Sequence, residues 1–121
     1  MRPEERDTAH LWDMLEAARA VVGFTENLSL REFVADDRET TRLAVERKPE
    51  IIGEAARRVS RAFREKHPEL PWRETVGLRN VISHEYDKVN YEEIYRIVRE
   101  RVPELITRLV PLVPPPPELE E

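Results

Sequence analysis

Arg38-Glu39-Thr40-Thr41-Arg42-Leu43-Ala44-Val45-Glu46-Arg47-Lys48-Pro49-Glu50-Ile51-Ile52-Gly53-Glu54-Ala55-Ala56-Arg57-Arg58-Val59-Ser60-Arg61-Ala62-Phe63-Arg64-Glu65-Lys66 is the stretch whose reading decides the fold. Leu43, Val45, Ile51, Ile52, Ala55, Ala56, Val59 and Phe63 form an apolar set among charged residues, the pattern of an amphipathic helix. A helix of this kind must cover its apolar side with other elements, which predicts a bundle. Pro49 lacks an amide donor and clashes with the preceding turn, so a kink or break is expected near Arg47 and Lys48. Gly53 leaves room for a second helix to approach closely.

The flanking sequence repeats the helical pattern. Trp12, Leu15, Ala18 and Val22 predict a first helix over Pro3–Val22, with Gly23 and Asn27 as stop signals. Ser29-Leu30-Arg31-Glu32 has the form of a capping box opening a short helix, after which Asp36 and Asp37 are placed to cap the long one. His67-Pro68-Glu69-Leu70-Pro71 reads as a connector, and Pro71 suits the first position of the next helix. Tyr86-Asp87-Lys88-Val89-Asn90 reads as a loop, with Asn90 and Glu93 capping a last helix over Tyr91–Val110, kinked at Pro103. The prolines at 111 and 114–117 end helical structure. The expected architecture is therefore all-α, an antiparallel bundle of four to five helices, with residues 1–110 as one domain and 111–121 as a Pro/Glu-rich tail.

Composition narrows the function. The chain has 121 residues, of which 37% are charged, 40% hydrophobic and only three are glycine, which suits one helical domain. Cysteine is absent, and His10, His67 and His84 lie far apart, so no zinc site, metal or cofactor is expected. No apolar run could cross a membrane and the N-terminus lacks the core of a signal peptide, so the chain reads as cytoplasmic. A net charge of −5 means that any nucleic-acid surface must be local. Arg57, Arg58, Arg61, Arg64 and Lys66 are the candidates for it, although such a run is more often a solvated helix face.

The chemistry is concentrated in Arg79-Asn80-Val81-Ile82-Ser83-His84-Glu85-Tyr86. Arginine offers a planar fork of donors to phosphate, and histidine exchanges protons near neutral pH. On a regular helix Arg79 and His84 lie roughly 140° apart, so they do not share a face. A helix ending near Ser83 to Glu85 would let His84 and Tyr86 return toward Arg79, or a second chain would complete the site. In the bland reading Arg79 pairs with Glu74 or Glu85, His84 ends a helix, and Tyr86 only packs.

Four blocks in order, Ile51-Ile52-Gly53-Glu54-Ala55-Ala56, Pro68-Glu69-Leu70-Pro71-Trp72-Arg73, Gly77-Leu78-Arg79-Asn80 and His84-Glu85-Tyr86, resemble the HepT-like toxins of the HEPN superfamily over about residues 8–110. The resemblance implies a dimeric all-α ribonuclease that needs no metal and acts through R-x-x-x-x-H-x-Y, here Arg79, His84 and Tyr86. It also implies Asn80 as a supporting polar residue and a partner nucleotidyltransferase antitoxin of the MntA type, which silences the toxin by adding AMP to the motif tyrosine. Ser83, inside the motif, is a further polar candidate. Glu85 stands where many relatives have glycine, and Pro49 where they continue a helix with an apolar residue. The expected activity is the toxin half of a toxin–antitoxin pair, an endoribonuclease whose composite active site is shared by two copies. The alternative is a non-catalytic helical dimer that binds and regulates a nucleotidyltransferase.

Overall fold

A computed structural model describes residues 3–80, 84–85 and 88–114. The chain is an all-α bundle. Helix α1 spans Pro3–Thr25, α2 Leu30–Phe33, α3 Glu39–Arg58, α4 Arg61–Lys66, α5 Trp72–Gly77, α6 Tyr91–Glu100 and α7 Val102–Leu109. Short 3-10 turns occupy Asp36–Arg38, Leu78–Asn80 and Val110–Leu112. A minimal antiparallel pair joins β1, His84–Glu85, to β2, Lys88–Val89.

The pairing of α1 with α3 is the backbone of the bundle, and α6 and α7 close over it. Leu11, Met14, Leu15, Ala18 and Val21 of α1 are buried with Val45, Ile52, Ala55 and Ala56 of α3. Ile94, Val98, Val102, Leu105 and Leu109 complete that core from α6 and α7. The buried stripe of α1 includes Met14 and Val21, while Trp12 and Val22, expected at its centre, sit at its edge. Phe33 is fully buried against the rings of Tyr91 and Tyr95.

Two of the sequence-predicted caps form. Ser29 accepts from the Glu32 amide at 3.1 Å and Glu32 accepts from the Ser29 amide, a complete capping box. Asn90 Oδ1 accepts from the Glu93 amide at 3.1 Å and opens α6. Asp36 and Asp37 do not cap α3; they lie in the preceding 3-10 turn, and α3 begins without a side-chain cap.

The helix boundaries depart from the sequence expectation in four places. Helix α1 runs through Gly23 to Thr25, whose buried hydroxyl donates to the carbonyls of Val21 and Val22. Helix α3 is not broken at Pro49, which is buried inside it. The break comes instead at Val59 and Ser60. Val59 turns extended, and Asp7 accepts from the Ser60 amide at 2.7 Å and from its hydroxyl at 2.6 Å. That carboxylate satisfies a backbone donor which a continuous helix would have bonded internally. The same Ser60 hydroxyl accepts from the Phe63 amide and so caps α4. The expected last helix is two helices meeting at Arg101, with Pro103 in the first turn of α7, where a missing amide hydrogen costs nothing.

The segment read as a loop after Tyr86 contributes Lys88 and Val89 to β2. Val89 is β-branched and packs at the edge of the core, which favours an extended backbone there.

Asp7 is therefore a structural carboxylate, only 7% exposed. Asp7→Ala leaves the Ser60 amide and hydroxyl without their partner. The expected loss is about 1–3 kcal/mol, read as a lower midpoint in thermal or urea unfolding.

Candidate active site

Arg79 lies in the 3-10 turn Leu78–Asn80 that extends α5. This turn is positioned from both sides. Leu78, 7% exposed, anchors it in the core, while Asn80 faces solvent. Behind it, α5 is held by a chain of hydrogen bonds through the connector. The Trp72 indole donates to the His67 carbonyl at 2.8 Å, and the buried Thr75 hydroxyl donates to the Pro71 carbonyl at 2.7 Å. Arg108 of α7 donates to the Glu69 carbonyl at 2.6 Å. Phe63 stacks on His67 and meets Trp72 edge-on, so α4 backs the same connector. His67 also lies 3.0 Å from Glu69, a local pair that fits its reading as a residue near a helix end.

The front of the turn is fixed by α3. A methyl group at Gly53 would lie 2.4 Å from the Arg79 amide nitrogen, 2.8 Å from the Val76 carbonyl oxygen and 2.9 Å from the Arg79 Cβ. The first two are backbone atoms, so no side chain can swing away to make space. Gly53 thus admits the backbone of Arg79 against α3, the close approach expected from the sequence, with its contact now specified.

This approach sets the charge environment of Arg79. Its Nη1 lies 3.5 Å from Glu54 Oε2, and both side chains are a little over one-third exposed. Glu54 Oε1 also accepts from Arg57 at 2.6 and 3.2 Å and lies 3.7 Å from Arg58 Nε. One carboxylate therefore faces three guanidiniums from two separate segments. The hydrogen bond from Arg57, with the charges of Arg57, Arg58 and Arg79 added, holds the Glu54 carboxyl below the usual carboxylate range despite partial desolvation. Arg57 is raised in turn by Glu54. The partners anticipated for Arg79 were Glu74 and Glu85; among the described side chains, which do not include that of Glu85, the one observed is Glu54. The visible signal for it was its place beside Gly53 in the Ile51–Ala56 block.

The backbone of His84 lies in β1 opposite Val89, and Glu85 opposite Lys88. The described helical run reaches Asn80, and the backbone is extended at His84 and Glu85; the expected helix end near Ser83 lies outside the described residues. Ser83 and Tyr86 lie outside the described residues, as does the tail from 115 onward. Among the described residues no group of three or more His, Asp or Glu side chains is placed to hold a metal ion, and no helix is long and apolar enough to cross a membrane.

Two concavities flank this region. A groove of about 360 Å³ between α5 and α7 has Thr75, Leu78, Val102 and Leu105 among its lining. A smaller cleft of about 180 Å³ between α1 and α3 is lined by His10, Asp13, Arg47, Glu50, Glu54 and Arg58 with Ile51 and Ala55. The second shares Glu54 and Arg58 with the surroundings of Arg79.

The described residues form a helical bundle in which Arg79 meets the guanidiniums of Arg57 and Arg58 around Glu54. The chain belongs to the HepT-like ribonuclease family, whose pattern, described as Ribonuclease HepT-like, matches residues 14–111. It is 44% identical over 97 residues to "Putative RNase MJ1380" of Methanocaldococcus jannaschii, covering 80% of this chain and 87% of the relative. It is 35% identical over 96 residues to "Probable ribonuclease HepT" of Thermococcus cleftensis, covering 79% and 86%. A third relative, "Putative RNase TTE0752" of Caldanaerobacter subterraneus, is 36% identical over 96 residues, covering 79% and 84%. No solved structure matches the chain.

The two glycines on helices α1 and α3 separate packing from propensity. Gly23→Ala meets nothing within 4 Å and is expected to stabilise by about 0.5–1 kcal/mol. Gly53→Ala is expected to destabilise by about 1–3 kcal/mol through overpacking against backbone. Chemical denaturation of the two variants beside the parent checks both signs.

Proposed function

We propose that this protein is an endoribonuclease that cleaves RNA without a metal ion, the toxin half of a toxin–antitoxin pair. The observation that carries the reading is the seating of Arg79 against Gly53, a little over one-third exposed and sharing Glu54 with Arg57 and Arg58, in a chain whose next residues supply His84 and Tyr86 at the family spacing.

The proposed reaction is attack of the RNA's own 2′-hydroxyl on the adjacent phosphorus. The new 2′-oxygen–phosphorus bond forms as the bond to the 5′-oxygen breaks. Products are a 2′,3′-cyclic phosphate and a 5′-hydroxyl. Arg79 binds the phosphate and stabilises the charge that grows on its oxygens. His84 removes the 2′-hydroxyl proton, and a second imidazole protonates the departing 5′-oxygen. A single chain has one motif histidine, so the pair is supplied by two copies related by a two-fold axis. Asn80 and Ser83 support the phosphate-binding turn, and Tyr86 positions RNA.

The proposed control is chemical. A nucleotidyltransferase of the MntA type transfers AMP from ATP to the Tyr86 hydroxyl, with pyrophosphate as the leaving group, placing bulk and negative charge where a phosphate must sit. Toxicity on expression, relieved by co-expression of that partner, follows from this scheme.

The decisive assay incubates purified protein, shown by mass to carry no AMP, with total RNA in EDTA. Arg79→Ala and His84→Ala, each shown to be folded, are run beside it. The expected result is cleavage by the parent that falls at least about 100-fold in either variant, the scale of losing general acid–base or phosphate stabilisation. Intact RNA with the parent would leave instead a non-catalytic helical dimer that binds and regulates a nucleotidyltransferase, a reading to which the net charge of −5 and Glu85 already lean.

A further inference from the structure

Arg57, Arg58 and Arg79 do not share Glu54 equally. Arg57 makes two contacts with Oε1, at 2.6 and 3.2 Å, and holds the carboxylate in place. Arg58 and Arg79, at 3.7 and 3.5 Å, stand beyond the spacing of a good charge-assisted hydrogen bond. Among the described residues no closer anion takes up either fork of donors. Exposed pairs at such distances are weak and readily exchanged for a better anion.

We infer that Arg58 and Arg79 together form a two-phosphate subsite for single-stranded RNA, in which neighbouring backbone phosphates replace Glu54 as their partner. The inference rests on the ribonuclease reading above and adds the path the substrate takes away from the scissile phosphate. Arg58 belongs to α3 and Arg79 to the turn after α5, so the subsite exists only through the Gly53 contact. Its continuation is the cleft between α1 and α3, which Arg58 and Glu54 also line. Arg47, Glu50, Ile51, Glu54, Ala55 and Arg58 follow the helical repeat along one face of α3, about 16 Å from first to last. The carboxylates that face this cleft are Asp13, Glu50 and Glu54, and Glu50 is paired with Arg47 at 2.9 Å. Guanidiniums outnumber carboxylates only beyond its Arg58 end, where Arg57 and Arg79 join Arg58 around Glu54. Phosphate is therefore held there, and Glu54 keeps the guanidiniums apart and oriented until RNA arrives.

The test uses a 2′-O-methyl oligonucleotide, which binds but lacks the attacking hydroxyl, titrated by fluorescence anisotropy across a salt series. Each phosphate contact on a single strand contributes about 0.7 to the slope of log affinity against log salt. Arg58→Gln is expected to lower the slope by about that amount and to bind several-fold more weakly at low salt. Arg58→Lys is expected to keep the slope, and Arg96→Gln, on the remote α6, to match the parent in both. Glu54→Gln is expected to bind more tightly, since it removes the competing anion. An Arg58→Gln slope equal to that of the parent overturns the subsite, as does failure of the parent to bind, and weaker binding by Glu54→Gln overturns the exchange. Cleavage of unmodified RNA by the parent with an Arg58-independent slope defeats the subsite alone. An Arg58-dependent slope without cleavage defeats the ribonuclease reading and leaves the subsite standing.

Discussion

The contact between Gly53 and the backbone of Arg79 is the constraint on which the site depends. It lets the segment after α5 lie directly on α3, with no side chain between. A carboxylate one position further along α3 then reaches Arg79, and the arginines one turn beyond Glu54 reach the same carboxylate. Absence of a Cβ is thus converted into an electrostatic arrangement. Protein interiors transmit such displacements because close-packed backbone has nowhere to yield.

The rest of the bundle serves to make that contact reproducible. Helix α5 is only Trp72–Gly77, too short to hold a direction by its own hydrogen bonds. Its orientation comes from Trp72 and Thr75 bonding back to the connector, from Arg108 gripping that connector from α7, and from Leu78 in the core. On the other side, Asp7 ends the α3 helix at Ser60 and ties the junction to α1. The two arginines at the end of α3 therefore project from a helix fixed at both neighbours.

Charge follows the same local logic. An acidic chain offers little general attraction to nucleic acid. Around Glu54 the balance is reversed, because three guanidiniums from two segments converge on one carboxylate. Membership of the HepT-like ribonuclease family gives this patch its context, and the family match extends over residues 14–111.

The all-α class was legible because apolar spacing, scarce glycine and capping signals such as Ser29 with Glu32 and Asn90 with Glu93 all act within a few residues. The value of Gly53 was legible too, as a small residue on an otherwise large-residue face. The interruption of the last helix was legible as a kink at Pro103, whereas the break at Ser60 was not, since it is made by a carboxylate 53 residues away. Glu54 was marked only by its place beside Gly53, and nothing in its own neighbourhood ranks it above Glu74 or Glu85 as a partner of Arg79. Short-range rules determine which residues become helix. Long-range pairing of one polar group with another decides where a helix stops and which charges meet, and that was settled only when α3 came to lie against the turn of Arg79.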